Sequence, residues 1–297
     1  MDNELMLFDR IEMIKTTILK YGEENFYISF SGGKDSTVLH HLVDLALPDN
    51  QIPRVFINTG IEYNDIVNFV KELAANDNRF IILKPKAPIK KVLETYGYPF
   101  KSKQHSHNVD IYQRHGMTLT NEKYLGLSTK TMFLCPKMLQ YQFSPDFKIK
   151  ISDQCCFKLK KEPAKEWALA NNKTIVMTGM RSEEGGYRNY QKNCAVFGKD
   201  KKLIKFHPLK PIDEEFENYV IEKYNIKLCR LYYEPFNFKR TGCKGCPFSL
   251  DLKDQLEVME RLLPNEAKQC EIIWKKVYDE YRRIKYRLDQ DVQIKLF

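Results

Sequence analysis

The sequence predicts an α/β fold, a parallel sheet with helices on both faces, and three observations carry that expectation. Four short apolar runs, "NFYISF", "PRVFINTG", "RFIILK" and "KTIVMTG", recur along the chain and read as strands. Stretches of helical period separate them, so successive strands need crossover connections and pair in parallel. Three of the runs end in loops of distinctive chemistry, "SGGKDS", "INTG" and "TGMRSEEGGYR". In parallel sheets ligands sit at the carboxyl ends of the strands, so these loops should share one rim.

The elements follow in order. Leu7, Ile11, Ile14 and Ile18 recur at helical spacing and predict an opening helix with one core-facing stripe. Its start, "MDNELMLF", is acidic and unlike a signal peptide, and no apolar run approaches the roughly 18 residues of a membrane span. A cytoplasmic protein without a membrane partner is expected. After the first strand, the pattern from Ser36 onward turns helical. "NDIVNFVKELAAND" is the next crossover helix, with Asn64 as its N-cap. Between Glu94 and Gln154 the chain is irregular and rich in Lys, His and Tyr, which reads as an insertion over the rim. After Cys246 it becomes helical again. The expected division is a domain over 1–250, with an insertion at about 95–154, and a helical C-terminal appendage over 251–297.

Composition narrows the chemistry. Hydrophobic residues make up 43% of 297, enough for a real core. The net charge of +9 suits an anionic partner, a nucleotide or nucleic acid, and equally a lysine-rich solvated surface. Eight cysteines in a cytosolic chain point to metal or redox chemistry before disulfides.

The turn Ser31-Gly32-Gly33-Lys34-Asp35-Ser36 offers backbone N–H groups with little obstruction, a hydroxyl at each end and one cation. At a helix N-terminus such a turn is an anion site, because unpaired amides and the helix dipole point at the ligand. Its spacing does not fit G-x-x-x-x-G-K-[ST], which disfavours a Walker-type NTPase. A Gly-Gly turn with incidental polar residues is the plainer alternative. The six residues match without a gap the SGGxDS signature of PP-loop adenine-nucleotide α-hydrolases, so the chain resembles that Rossmann-like (HUP-type) superfamily. The resemblance implies that the loop holds pyrophosphate or the anionic end of a sulfonucleotide.

"DQCCFKLKKEP" carries Cys155 and Cys156, and "RTGCKGCPF" carries Cys243 and Cys246. CxxC-Pro is a compact two-thiolate clamp that a vicinal pair can complete to four ligands. Zinc on the same thiolates is the competing metal, and reduced structural thiols the alternative to both. CC-x-x-x-K-x-x-P followed by CxxC resembles the iron–sulfur pattern of the phosphoadenylyl-sulfate (PAPS)/adenylyl-sulfate reductase family. That resemblance implies a [4Fe–4S] cluster on Cys155, Cys156, Cys243 and Cys246, with Lys160 between cluster and substrate. A cation there would offset thiolate charge and draw in an anion. "INTGIEY" resembles the family's second nucleotide loop, placing Thr59 and Gly60 near the adenosine. "TGMRSEEGGYR" resembles its arginine element and implies Arg181 and Arg188 as phosphate or sulfate contacts, although Gly185-Gly186 replaces the usual serine region. The resemblance runs from about Phe26 to Phe248.

It breaks at the end. Assimilatory reductases of the family carry a catalytic cysteine in a C-terminal Glu-Cys-Gly-Leu-His motif, and "RLDQDVQIKLF" lacks it. Cys270, the one cysteine after the CxxC, lies in a helical stretch and reads as core; Cys135, Cys194 and Cys229 fit no motif. Three functions therefore stay open. One is a reductase or sulfur-transfer enzyme using ATP, adenylyl sulfate or PAPS with an external thiol partner or sulfur donor. Another is an adenylylating enzyme in DNA or tRNA sulfur modification. The third is a non-catalytic nucleotide sensor. For catalysis the resemblance puts forward Lys34, Lys160 and Arg181. Smaller signals are Glu62 and Asp65, which could hold Mg²⁺ through water or be an ordinary acidic helix start. His105 and His107 read as solvated loop residues near Lys103, and the aromatic run "RLYYEPFNF" reads as packing around a cluster.

Overall fold

The computed structural model describes residues 2–128, 134–184 and 193–288. In chain order these form α1 (Asn3–Tyr21), β1 (Phe26–Ser29), α2 (Lys34–Ala46), β2 (Arg54–Ile57), α3 (Asn64–Asn76) and β3 (Phe80–Leu83). Next come α4 (Ile89–Tyr96), α5 (Lys103–His115), α6 (Leu119–Leu125) and α7 (Gln154–Cys156), which runs into a π-helical turn over Phe157–Lys161. The chain closes with α8 (Glu162–Ala170), β4 (Ile175–Met177), β5 (Ala195–Phe197), β6 (Leu203–Phe206), α9 (Glu214–Lys223), α10 (Leu252–Leu262) and α11 (Pro264–Arg283). Two compact units result. One comprises Met1–Asn58, Glu62–Lys84 and Glu162–Gly242; the other comprises Thr59–Ile61, Pro85–Lys161 and Cys243–Phe297.

The first unit holds the whole sheet, in the order β3-β2-β1-β4-β6-β5. β3, β2, β1, β4 and β6 pair in parallel, and β5 closes the edge antiparallel to β6. This is the predicted α/β class, Rossmann-like in order. Alternation along β1 explains why both faces are covered. Tyr27 packs with Val55, Val176 and the Trp167–Ala168 pair of α8, while Phe26 and Ile28, both fully buried, turn to the opposite face. Strand order reverses between β1 and β4, and ligands of such sheets bind at the carboxyl ends of the strands beside that switch point. α1 presents Leu7, Ile14 and Ile18 to the core, as the sequence spacing predicts, but Arg10 takes the place expected for Ile11. Its guanidinium donates to the Pro208 carbonyl at 3.2 Å, which satisfies a charged head on the packed face. α3 begins at Asn64, with Tyr63 rather than Asn64 in the capping position.

The second unit contains the stretch read from sequence as irregular. Two of its helices, α5 and α6, lie wholly within that stretch, and α4 ends in its first residues. α5 is capped by the Ser102 hydroxyl, which accepts from the His105 amide at 3.2 Å. The core of this unit is aromatic: Phe100, Trp274, Tyr278 and Tyr281 are essentially inaccessible. Among the described residues no helix is long and apolar enough to cross a membrane.

Candidate functional site

Residues Ser31–Ser36 carry the chain from β1 into α2, at the switch point of the sheet. The turn is closed by its own hydroxyls. Ser31 Oγ and Ser36 Oγ lie 3.0 Å apart, the Ser31 amide donates to Ser36 Oγ at 3.2 Å, and Ser36 Oγ donates to the Gly33 carbonyl at 2.9 Å. Gly32 has φ +73°, and a Cβ there would stand 2.8 Å from Ile66 Cγ2, so only glycine fits. Two of the loop's amides are met by hydroxyl oxygens. The Gly33 amide donates to Ser31 Oγ at 3.3 Å, and the Lys34 amide donates to the Tyr232 hydroxyl at 3.1 Å. Tyr232 also bonds Thr241 Oγ1 at 2.6 Å, and burial pushes its pKa up to about 12, so it remains a neutral phenol.

Arg181 arrives from the segment after β4. The approach is tight: a Cβ on Gly179 would lie 2.7 Å from the Asp35 carbonyl oxygen, which makes glycine necessary at that crossing. Arg181 Nε pairs with Asp35 Oδ1 at 2.6 Å and a terminal nitrogen pairs with Glu183 at 3.0 Å. Burial opposes its charge, but Glu217, Asp35 and Glu183 outweigh that and hold its pKa above the ordinary value. Lys34 Nζ stands 3.0 Å from Glu214 and 3.3 Å from Glu217, both on α9. Glu217 therefore lies within ion-pair distance of both cations, at 3.6 Å from Arg181, with its side chain wholly buried. The structure thus gathers Ser31, Gly32, Gly33, Lys34, Asp35, Ser36 and Arg181 in one place. It adds Glu217, Glu214 and Tyr232, which sequence reasoning missed. Arg188, with Gly185 and Gly186, falls outside the described residues.

All four motif cysteines lie in the second unit. Cys155 and Cys156 belong to α7, whose continuation as a π-turn places Lys160 and Lys161 just after them. The Cys243–Cys246 turn is anchored by α11. The Cys246 amide donates to the Cys243 carbonyl at 3.2 Å, Trp274 Nε1 donates to the Lys244 carbonyl at 3.1 Å, and Lys244 Nζ forms a buried pair with Glu266 at 2.9 Å. Gly245 has φ +58°, and a Cβ would stand 2.8 Å from Cys270 Sγ, so this turn also requires glycine. The thiols act on one another's ionisation. Cys155 is raised by its hydrogen bond with Cys156, by burial and by the charges of Cys156, Cys246 and Cys243. Cys246 is raised by burial and by Cys243 and Cys156. Cys156 is lowered to about 6 by its hydrogen bond with Cys155, against burial, with Lys103, Lys160 and Lys161 assisting. A cleft of about 270 Å³ opens beside it, lined by Lys103, Asp153, Gln154, Cys156, Phe157 and Lys161. Among the described residues no three His, Cys, Asp or Glu side chains close to single-ion ligating geometry.

Thr59 and Gly60 belong to the second unit; Thr59 is buried and Gly60 has φ +83° with open space around it. Asp65 forms an ion pair with Arg230, and Glu62 is buried. His105 is not a solvated loop residue, because helix formation from Ser102 turns it inward. Its ring meets Tyr124 Oη at 3.0 Å and Gln142 Oε1 at 2.8 Å, and burial lowers its pKa to about 4. His107 is exposed on the same helix. The aromatic run around Tyr232 belongs to the first unit, where Phe238 packs on Tyr63 and the Tyr232 hydroxyl accepts from the Lys34 amide. Cys270 is fully buried and burial lifts its thiol to about 12, while burial lifts Cys135 and Cys229 to about 11. Cys194 lies at 4.0 Å from an Arg10 nitrogen.

A doubly wound, mostly parallel sheet with a glycine-rich loop at its switch point makes this an α/β protein of Rossmann-like class. More narrowly, this chain belongs to the phosphoadenosine phosphosulfate reductase domain family, whose sequence model matches residues 25–249. A curated relative, an uncharacterized protein of Methanocaldococcus jannaschii, is 38% identical over 104 residues, which is 31% of this chain and 25% of the relative. The chain thus spans about a quarter of that relative's length. Among solved structures, the chain is similar to the Candida auris PAPS reductase in its phosphate complex, with 17% identity, coverage of 78% of this chain and 93% of that one, and TM-score 0.43. It is also similar to the NH₃-dependent NAD synthetase of Campylobacter jejuni (13% identity, 95% and 97% covered, TM-score 0.42). A third is the U34-tRNA thiolase of Methanococcus maripaludis with its [4Fe–4S] cluster (14% identity, 96% and 80% covered, TM-score 0.38).

Proposed function

We propose that this protein is an enzyme that binds an adenine nucleotide, ATP, adenylyl sulfate or PAPS, and cleaves or transfers at its phosphate or sulfate end in sulfur metabolism. The observation that carries the reading is the convergence of Lys34 and Arg181, from the ends of β1 and β4, on a loop whose amides already bond oxygen atoms. Oxyanion oxygens would replace the Ser31 and Tyr232 hydroxyls on the Gly33 and Lys34 amides, and the two cations would take the charge. As charge develops on the leaving group, pyrophosphate in adenylyl transfer or the nucleotide phosphate when an external thiol takes the sulfonate and the S–O bond breaks, these fixed donors stabilise it without reorganising. The arginine fork suits a planar pair of oxygens, and the lysine acts as a point charge.

Cys155, Cys156, Cys243 and Cys246 would hold a [4Fe–4S] cluster. Cys155, Cys156 and Cys246, whose ionisation responds to one another or to Cys243 within one compact unit, with lysines nearby to offset thiolate charge, make with Cys243 a donor set of the right chemistry. A cluster supplies an electron-transfer or sulfur-handling centre. Iron and acid-labile sulfide in protein purified without oxygen, lost in Cys156→Ser and Cys243→Ser, support this; one zinc per chain and no iron refutes it.

The burial of Cys270 favours a second reading within the same site. With that thiol shut in the core, adenylyl transfer needs no nucleophile from it: an acceptor attacks the α-phosphorus and the P–O bond to pyrophosphate breaks, its electron pair leaving with pyrophosphate. The acceptor would be a sulfur donor or a nucleic-acid base. Incubation with ATP, adenylyl sulfate or PAPS, with a dithiol supplied as the two-electron reductant, separates the outcomes. Sulfite with AMP from adenylyl sulfate, or with adenosine 3′,5′-bisphosphate from PAPS, establishes reduction, pyrophosphate from ATP establishes adenylylation, and tight binding without product establishes a sensor. Binding of tRNA or DNA that weakens steeply with salt would identify the acceptor class.

A further inference from the structure

Glu217 is the acid in the first unit that the proposed reaction leaves without a task. Its carboxylate is wholly buried at the α2–α9 packing and faces the two cations that the loop would offer to a ligand, at 3.3 Å from Lys34 and 3.6 Å from Arg181. Among the described residues, neither of its oxygens accepts an aligned hydrogen bond. A structural ion pair in a core is expected to satisfy its remaining lone pairs, because an under-bonded buried charge is costly. Glu217 does not. It is approached by Lys34 and Arg181 at ion-pair distance only, in competition with Asp35 and Glu183 for Arg181 and with Glu214 for Lys34.

We propose that Glu217 is a proton-linked counter-anion of the loop: it competes with the incoming phosphate or sulfate group for Lys34 and Arg181, and yields by taking one proton from solvent as that group binds. This rests on the reading of the loop as an anion site and adds how that site is regulated. The facing groups decide the direction. From α2 come Lys34 and Asp35, from the segment after β4 come Arg181 and Glu183, and α9 itself supplies Glu214. The charge of α1 that meets α9, Glu4, is engaged with Tyr219 and Lys223. Burial first, and then the Asp35 charge, raise the Glu217 pKa to about 7 against the pull of Arg181 and Lys34. A bound oxyanion adds negative charge to the same space and screens both cations, so it raises that pKa further. Binding therefore draws a proton wherever Glu217 is otherwise ionised.

The test is titration calorimetry of the whole chain with adenylyl sulfate, whose phosphate and sulfate groups stay ionised through the neutral range, in buffers of different ionisation enthalpy. At about pH 8 the wild type should take up close to one proton per ligand, and its affinity should fall by up to about tenfold per pH unit above about pH 7. Glu217→Gln should bind with no uptake and a flat pH profile, at least about tenfold more tightly than wild type near pH 8.5. Wild-type binding without proton uptake overturns the proposal while leaving the anion site standing, and needs no variant to fold. Equal uptake in Glu217→Gln and wild type overturns it as well. Failure of both proteins to bind adenylyl sulfate, ATP or inorganic sulfate overturns the anion site itself and this proposal with it.

Discussion

Replacing Glu217 by Gln should make the protein more stable at alkaline pH, and the size of the effect follows from its burial. The acid's pKa stands at about 7 in the fold against an ordinary 4.5. At about 1.36 kcal/mol for each tenfold, the ionised form is disfavoured in the folded state by about 3 kcal/mol. The sign follows from proton counting. The folded protein holds the proton more tightly than the unfolded chain, so this group's contribution is fully present below about pH 4.5 and is lost as pH rises through about 7. Between about pH 5 and pH 8 the wild type should lose about 2.5 kcal/mol that the amide variant keeps. Gln preserves the side chain's volume, so packing against α2 is unchanged. Urea unfolding of both proteins across that range, followed by circular dichroism, reads the difference directly. Parallel curves, with a gap that stays constant to within about 0.5 kcal/mol, would mean that Glu217 is satisfied in the fold and would refute the reasoning.

Three further outcomes follow from the same geometry. Gly32→Ala places a Cβ against Ile66 in a left-handed turn and should cost about 2 kcal/mol or more in urea unfolding; a neutral effect would show that the turn relaxes. Tyr232→Phe leaves the Lys34 amide and the Thr241 hydroxyl without their partner, a loss of about 1–2 kcal/mol. Saturating adenylyl sulfate should recover part of that loss, because the ligand's oxygen supplies the amide's acceptor. Cys270→Ala should lower stability by about 1–2 kcal/mol through lost packing and leave nucleotide turnover within about twofold; a collapse of turnover with iron content intact would restore that thiol as nucleophile.

What the sequence disclosed depended on how local each feature is. β1 to β4 were legible because each is a contiguous apolar run rich in β-branched or aromatic residues, even where, as in the edge strand β3, most of it is only half-buried. β6 escaped because "LIKF" is short and its two central residues are exposed, and β5 because three residues at an antiparallel edge give no periodicity. α5 was hidden by composition: "KQHSHNVDIYQRH" carries too few apolar residues to show a stripe, and its inward face is built from His105, Ser106, Asn108 and Asp110, held by side-chain hydrogen bonds. The Ser31–Ser36 loop was legible to the residue, since glycine and hydroxyl positions encode a backbone shape. Glu217 was not, because in sequence it is one of several acids opening α9. Only the packing of α9 on α2 buries it opposite Lys34, a tertiary fact that no local pattern records. Tyr232 shows the same limit, as an aromatic residue whose role lies in its hydroxyl.

The central claim, that Lys34 and its loop carry the reaction, is tested most directly by nucleotide turnover in Lys34→Ala. Removing one donor to a developing oxyanion typically costs about 100-fold or more, so the variant should keep its far-UV circular dichroism and release pyrophosphate or sulfite at no more than about 1% of the wild-type rate. Turnover at the wild-type rate in a folded Lys34→Ala protein would remove the loop from the chemistry and contradict the account.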